Sequence, residues 1–206
     1  MPTLSSARRD PSRSGTQAGK RAAISRAAVK VFARRGFFNA QVADVARAAG
    51  IAAGTVYLYF RSKDEILVSI FERTMEEGIS ESRLALEGVT DPVERLRCLA
   101  RLHLRRLGRD RDLAVVFQVE LRQSTKFIEQ LSSSQLRTYL GQLRDAIAHG
   151  QASGAFAAQI NPTLAAKALF GALDEMATNW ILSTRRYDLA SEADDVVDLF
   201  VNGLAT

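Results

Sequence analysis

Apolar residues recur along the chain three and four positions apart, the spacing of one helical face, and no stretch bounded by turn residues alternates strictly as a strand would. Ile24, Ala27, Ala28, Val31 and Phe32 share a face over about 18–35, with Arg26, Lys30 and Arg34 opposite and Gly36 as the stop. Two short helices are predicted at 42–49 and 53–59, then a long one from Lys63 into the mid-80s. Further patterns cover 92–108, 111–124, 127–150, 162–185 and 190–204. Pro92 and Pro162 follow Asp91 and Asn161, so each reads as a capped helix start with proline in the first turn. The expectation is an all-α fold of about nine helices. Residues 1–17 lack periodicity, are rich in Ser and Arg, and read as a flexible basic arm.

Composition narrows the class. With 206 residues, 47% hydrophobic and 25% charged, the chain can bury a substantial core. No apolar run reaches the roughly 20 residues of a membrane span, and no secretory signal is visible, so a cytoplasmic protein is expected. A single cysteine, Cys98, and two histidines, His103 and His149, give no disulfide and no metal cluster. The net charge of +5 conceals a division: residues 1–63 carry twelve basic and two acidic groups, the remainder sixteen basic and twenty-one acidic. A basic module on an acidic body is the footprint of polyanion binding, although charge alone fits a solvated tail equally well.

Spacing decides between the two. In QVADVARAAGIAAGTVYLYFRSKDE, Gln41 to Glu65, Ala46 stands four residues before Gly50 and Val56 six after it. A small residue at 46 lets a second helix cross closely, glycine at 50 can adopt the left-handed conformation that ends the first helix, and Val56 packs back between them. The second helix then projects toward a major groove. Thr55, Tyr57 and Tyr59 offer hydroxyls to phosphates, with Lys63 and the following helix N-terminus as an anion site. Base edges would fall to Gln41, Ala52, Ala53, Thr55 and Leu58, around Gly54, and Arg8, Arg9 and Arg13 would follow a minor groove.

At these residues the chain resembles the TetR family of bacterial transcription regulators: Gly36-Phe37-Phe38 through Val42, Val45-Ala46, Ala49-Gly50-Ile51 and GTVYLYFRSKDEIL from Gly54 to Leu67. Ala40 and Gln41 depart from that family's usual Thr pair, and Gln41 is a weaker cap than Thr, by about 1 kcal/mol. The resemblance implies a DNA-binding domain over 18–63 and an effector-binding, dimerising domain over 64–206. Apolar residues on most sides of 162–185 (Leu169, Met176 and Trp180 among them) and the stripe Val196, Val197, Phe200 and Leu204 fit a two-fold four-helix interface.

VFQVELRQS from Val116 to Ser124, with FGALDEMATNW and YDL, resembles a narrower group in the family, regulators of fatty-acid degradation that respond to long-chain acyl-CoA. That resemblance implies an apolar tunnel, with Leu104, Phe117, Leu121, Leu143, Phe170 and Leu173 as its candidate lining. Arg105, Arg106 and Arg109 are the candidate phosphate partners at its mouth, and Glu120 and Gln123 candidate polar contacts. The expected protein is a homodimeric repressor, released from a palindromic operator by this effector, with no cofactor and no catalysis. An enzyme is disfavoured by the lack of a phosphate-cradling glycine loop or nucleophile motif. A multidrug-responsive repressor shares the DNA module and stays open as the alternative, though only 7% of residues are aromatic. A membrane-surface protein conflicts with the acidic C-terminal half.

Overall fold

The computed structural model describes the backbone of residues 11–121 and 134–204, and side chains over 17–121 and 135–203. Among the described residues the helices are α1 (Pro11–Arg35), α2 (Val42–Ala49), α3 (Ala53–Tyr57), α4 (Lys63–Ala85), α5 (Pro92–Gly108), α6 (Arg111–Val115), α7 (Ser134–Ala152), α8 (Pro162–Leu182) and α9 (Ala193–Leu204). α6 widens into a π-turn over Val116–Glu120, and a 3-10 turn, Leu189–Glu192, leads into α9. The all-α architecture and the nine helices agree with the sequence pattern.

Side-chain caps set several boundaries. Ser62 Oγ accepts from Glu65 N–H, Asp91 from Glu94 N–H, and Asn161 from Thr163 and Leu164 N–H, so each helix start satisfies orphan amides locally. α8 stops at Leu182 rather than 185 because Arg111 captures the carbonyls of Trp180, Ile181 and Ser183, and its guanidinium stacks over the Trp180 ring. The largest departure is at the other end of the chain. α1 begins at Pro11, so residues 11–17, expected in a flexible arm, continue the helix. Extending a helix already nucleated by its packed half costs far less than starting one, and no apolar periodicity is needed to do it. Residues 1–10, and the predicted helical stretches at 122–133, lie outside the described residues.

Two cores result. The first joins Ile24, Ala28 and Phe32 of α1 with Phe37, Val45, Val56, Phe60 and Ile66, and is completed by Val116 and Leu121 from the α6 segment. The second joins α5, α7, α8 and α9 through Leu96, Leu99, Leu104, Leu143, Leu169, Leu173 and Val197. α4 spans both: Ile66 to Phe71 belong to the first, while Met75 touches each. Among the described residues no helix is long and apolar enough to cross a membrane.

Candidate DNA interface and effector cavity

The α2–α3 unit is built by backbone geometry at Gly50. Its φ of 68° and ψ of 31° place it in the left-handed region. Ile51 N–H then reaches back to Ala46 carbonyl at 3.0 Å and Gly50 N–H to Arg47 carbonyl at 3.2 Å, the paired bonds of a Schellman ending. Val45, Ala46 and Val56 are buried in the angle between the helices. At the start of α2, Gln41 N–H donates to Asp44 Oδ2 at 3.1 Å, so the acid keeps its half of a capping box. That bond, with Arg35 and Arg47 beside it, holds the Asp44 carboxyl below its usual range. The outer surface carries Gln41, Ala52, Gly54, Tyr57 (56% exposed) and Leu58 (76% exposed), while Ala53, Thr55 and Tyr59 are half-buried.

Lys63 does something other than expected. Its ammonium donates to the carbonyls of Phe37, Phe38 and Ala40 at 2.7, 2.9 and 3.2 Å and sits 4.7 Å from the Phe37 ring centre. Its three N–H groups are spent on the α1–α2 loop, and the Glu65 amide behind it is taken by Ser62. Lys63 is therefore a clasp within the DNA-binding module, not a free phosphate donor. Changing Lys63 to Met should lower the melting temperature and weaken operator binding. The slope of log K against log salt should stay unchanged, because no phosphate contact is lost; a shallower slope would restore the phosphate role. Arg21, which the sequence offered only as one cation among many, is a second clasp: it donates to Tyr59 carbonyl at 2.6 Å and lies 4.1 Å over the Phe60 ring, fixing the end of α3.

In the larger half, α4, α5, α7, α8 and the π-turn enclose a cavity of about 310 Å³, near the lower end of ligand pockets, with a mostly apolar wall. Of the candidate ligand residues, Arg106, Phe117 and Phe170 line it, and the Arg106 guanidinium is held by Glu81 and Glu77 at 2.8 and 3.0 Å. Leu104, Leu143 and Leu173 do not; they are buried between helices of the second core, and Leu121 is buried in the first. Helical spacing shows that a residue faces inward, not whether a cavity or another helix waits there. Arg105 and Arg109 lie on the far side of α5, in a polar surface groove with Arg101, Asp188 and Asp194, so neither meets the cavity. Glu120 is also reassigned. Its buried carboxylate accepts Phe37 N–H at 2.6 Å, tying the π-turn to the α1–α2 loop. Gln123 lies outside the described residues.

Residues that sequence reasoning passed over form the cavity's polar side. His103 Nδ1 and Tyr139 Oη are 2.9 Å apart, and Gln118 Nε2 donates to Asp174 Oδ1 at 2.6 Å. Burial lowers the His103 pKa against the pull of Asp174, and burial together with that carboxylate raises Tyr139, so both rings are neutral at physiological pH. Phe71, from the first core, and Phe117 touch across the cavity wall with ring centres 5.8 Å apart. The cavity thus shares Phe71 and Phe117 with the first core, in which the helix-turn-helix is packed.

Residues 24–70 match the family model for bacterial regulatory proteins of the tetR family, and residues 71–203 match that for the C-terminal region of YsiA-like proteins. The chain belongs to the TetR family. Within that family it is 35% identical over 178 residues to the fatty acid metabolism regulator protein of Bacillus subtilis, covering 86% of this chain and 92% of that one. Two solved structures are similar over 89% of this chain and 98% of theirs. They are the fatty acid degradation regulator FadR from Bacillus halodurans (37% identity, TM-score 0.82) and FadR from Bacillus subtilis in complex with stearoyl-CoA (34%, 0.83). The protein is a TetR-family DNA-binding regulator.

The stripes expected to pair TetR subunits turn inward. Leu169, Trp180 and Val197 are buried in the second core, and Met176, Val196 and Phe200 are half-buried against it. Leu204 ends α9, and its side chain is outside those described. Covering helices on several sides bury Leu169, Trp180 and Val197 within one subunit, while Met176, Val196 and Phe200 keep part of their surface. The residues α8 presents outward include Leu164 (65% exposed), Ala168, Gly171, Ala172 and Leu182 (73% exposed), alongside Lys167, Glu175 and Asn179, and α9 adds Leu199 (77% exposed).

Proposed function

We propose that this TetR-family protein is a homodimeric repressor of fatty-acid degradation genes, released from a palindromic operator when a long-chain acyl-CoA fills the α4–α5–α7–α8 cavity. The observation that carries this reading is the π-turn, which lines the cavity at one residue and holds the α1–α2 loop at another. Phe117 lines the cavity, and three residues later Glu120 holds the Phe37 amide. An acyl chain pressing on Phe117 acts on the segment that orients the helix-turn-helix. A mostly apolar enclosure with a few polar groups suits a fatty chain, and the stearoyl-CoA complex of the B. subtilis relative supports the same effector.

On the operator, α3 enters the major groove of each half-site, the two half-sites lying about 34–36 Å apart. Tyr57, Thr55 and Tyr59 give hydroxyls to phosphates, while Gln41, Ala52, Ala53 and Leu58 meet base edges and Gly54 lets the backbone approach. Subunits pair through the outward faces of α8 and α9. Effector binding releases DNA only as far as it prefers the DNA-free conformation.

The test is fluorescence anisotropy on promoter DNA selected by the protein from its own genome. Stearoyl-CoA should dissociate the complex; persistence of the complex at saturating stearoyl-CoA rejects the effector. Tyr57→Ala should weaken operator binding about tenfold, consistent with loss of a phosphate contact, with an unchanged melting temperature because the ring is exposed. Equal affinity in that variant rejects the docking face.

A further inference from the structure

The polar side chains on the cavity wall are mostly satisfied within the protein. Ser82 Oγ pairs with Gln142 Oε1 at 2.8 Å, Glu81 takes Arg106 Nη1 at 2.8 Å, and Asp174 takes Gln118. Among the described residues three buried side-chain nitrogens have no hydrogen-bond partner, and two of them, His103 Nε2 and Arg106 Nε, belong to this wall, one turn apart on α5. The His103 ring is fixed in place. Phe170 packs edge-on at 5.6 Å between ring centres and lies 5.9 Å from Tyr139, whose hydroxyl sits on Nδ1. With both rings neutral, the arrangement that uses the Tyr139 proton is donation to Nδ1, which puts the imidazole hydrogen on Nε2. That leaves His103 Nε2, one turn from Arg106 Nε, as a donor on a mostly apolar wall with nothing to accept it. A hydrocarbon packed there would leave the group unpaired, at a cost comparable to a lost buried hydrogen bond.

We infer that His103 Nε2 donates to a carbonyl oxygen of the ligand, the thioester carbonyl of a fatty acyl-CoA, so the cavity distinguishes an acyl thioester from an alkyl chain of equal length. This rests on the acyl-CoA reading above and deepens it: the effector is recognised by a functional group as well as by chain length. Tyr139 is the positioning residue that holds the imidazole in its donating tautomer.

The experiment compares two probes by titration calorimetry on the full-length protein: palmitoyl-CoA, and S-hexadecyl-CoA, in which a methylene replaces the carbonyl. Wild type should bind the thioester about tenfold more tightly than the thioether. His103→Phe should bring the thioester down to the thioether's affinity while leaving the thioether unaffected. Tyr139→Phe, which keeps the ring packing, should reduce the preference in part and serves if His103→Phe unfolds. A preference that survives in His103→Phe, or is absent from wild type while both probes bind, overturns the assignment and leaves the acyl-CoA reading standing. Failure of wild type to bind either probe overturns both.

Discussion

Arginine in place of Gly171 should give a folded monomer that binds its operator about a hundredfold more weakly, from an effective concentration of roughly 1 mM for the second half-site against a single-site constant of about 10 μM. The expectation comes from where Gly171 sits. It is exposed on α8 between Ala168 and Ala172, and a Cβ added there meets no atom within 4 Å of its own subunit. Nothing within the monomer resists a long side chain, and leaving glycine in a helix interior costs about 0.8–1.0 kcal/mol relative to alanine, so the isolated helix gains from the change. The proposed subunit interface does not. Two α8 helices related by a two-fold axis approach closely only where residues are small, and a pair of guanidinium groups brought to that contact is both bulky and like-charged. Sedimentation should show a dimer for wild type and a monomer for Gly171→Arg, with an unchanged helical circular dichroism spectrum. A variant that stays dimeric places the interface elsewhere.

The contrast with Leu169, Trp180 and Val197 shows what periodicity can tell. The sequence pattern located α8 and α9 and identified their apolar character, because burial of any kind demands it. It could not divide the circumference between the subunit's own core and a partner, since a leucine facing α5 and a leucine facing another subunit look alike in one chain. The small, exposed positions carry the clearer signal of close approach, and they scarcely register in a search for large apolar residues. The same limit applied to the cavity. Phe117 and Phe170 line it while Leu104, Leu143 and Leu173, with equal hydrophobicity, fill the core. The helix-turn-helix was legible for the opposite reason: Gly50, Ala46 and Val56 are required by local backbone geometry within a few residues of one another, so spacing alone expresses them. Lys63 marks the boundary of that legibility. Its position in the motif was evident, but a lysine that clasps carbonyls and one that grips phosphate differ only in what lies opposite in space. Glu120 lay between these extremes. A carboxylate in the apolar run VFQVE signals that a partner exists, because a buried charge without one is costly, yet the partner is 83 residues away.

That distance gives Glu120 its expected effect. Glu120→Leu leaves the buried Phe37 N–H without an acceptor, a cost of about 1–3 kcal/mol, and removes the hydrogen bond from the π-turn to the α1–α2 loop. If that bond belongs to the operator-binding conformation, its loss lowers the population of that conformation. Operator affinity without effector should fall about tenfold or more. Linkage then fixes the sign of the second result: a protein already shifted away from the DNA-binding state binds stearoyl-CoA more tightly, and the ratio of operator affinities without and with effector shrinks. Glu120→Gln, which keeps an acceptor oxygen at the same reach, should retain most of both the affinity and the response. A general loss of stability predicts otherwise, since it lowers DNA and effector binding together. Anisotropy on operator DNA and calorimetry with stearoyl-CoA, run on the two variants, separate the outcomes. Weakened DNA binding with strengthened effector binding identifies Glu120 as part of the two-state element, whereas parallel weakening reduces it to a strut that holds the two cores together.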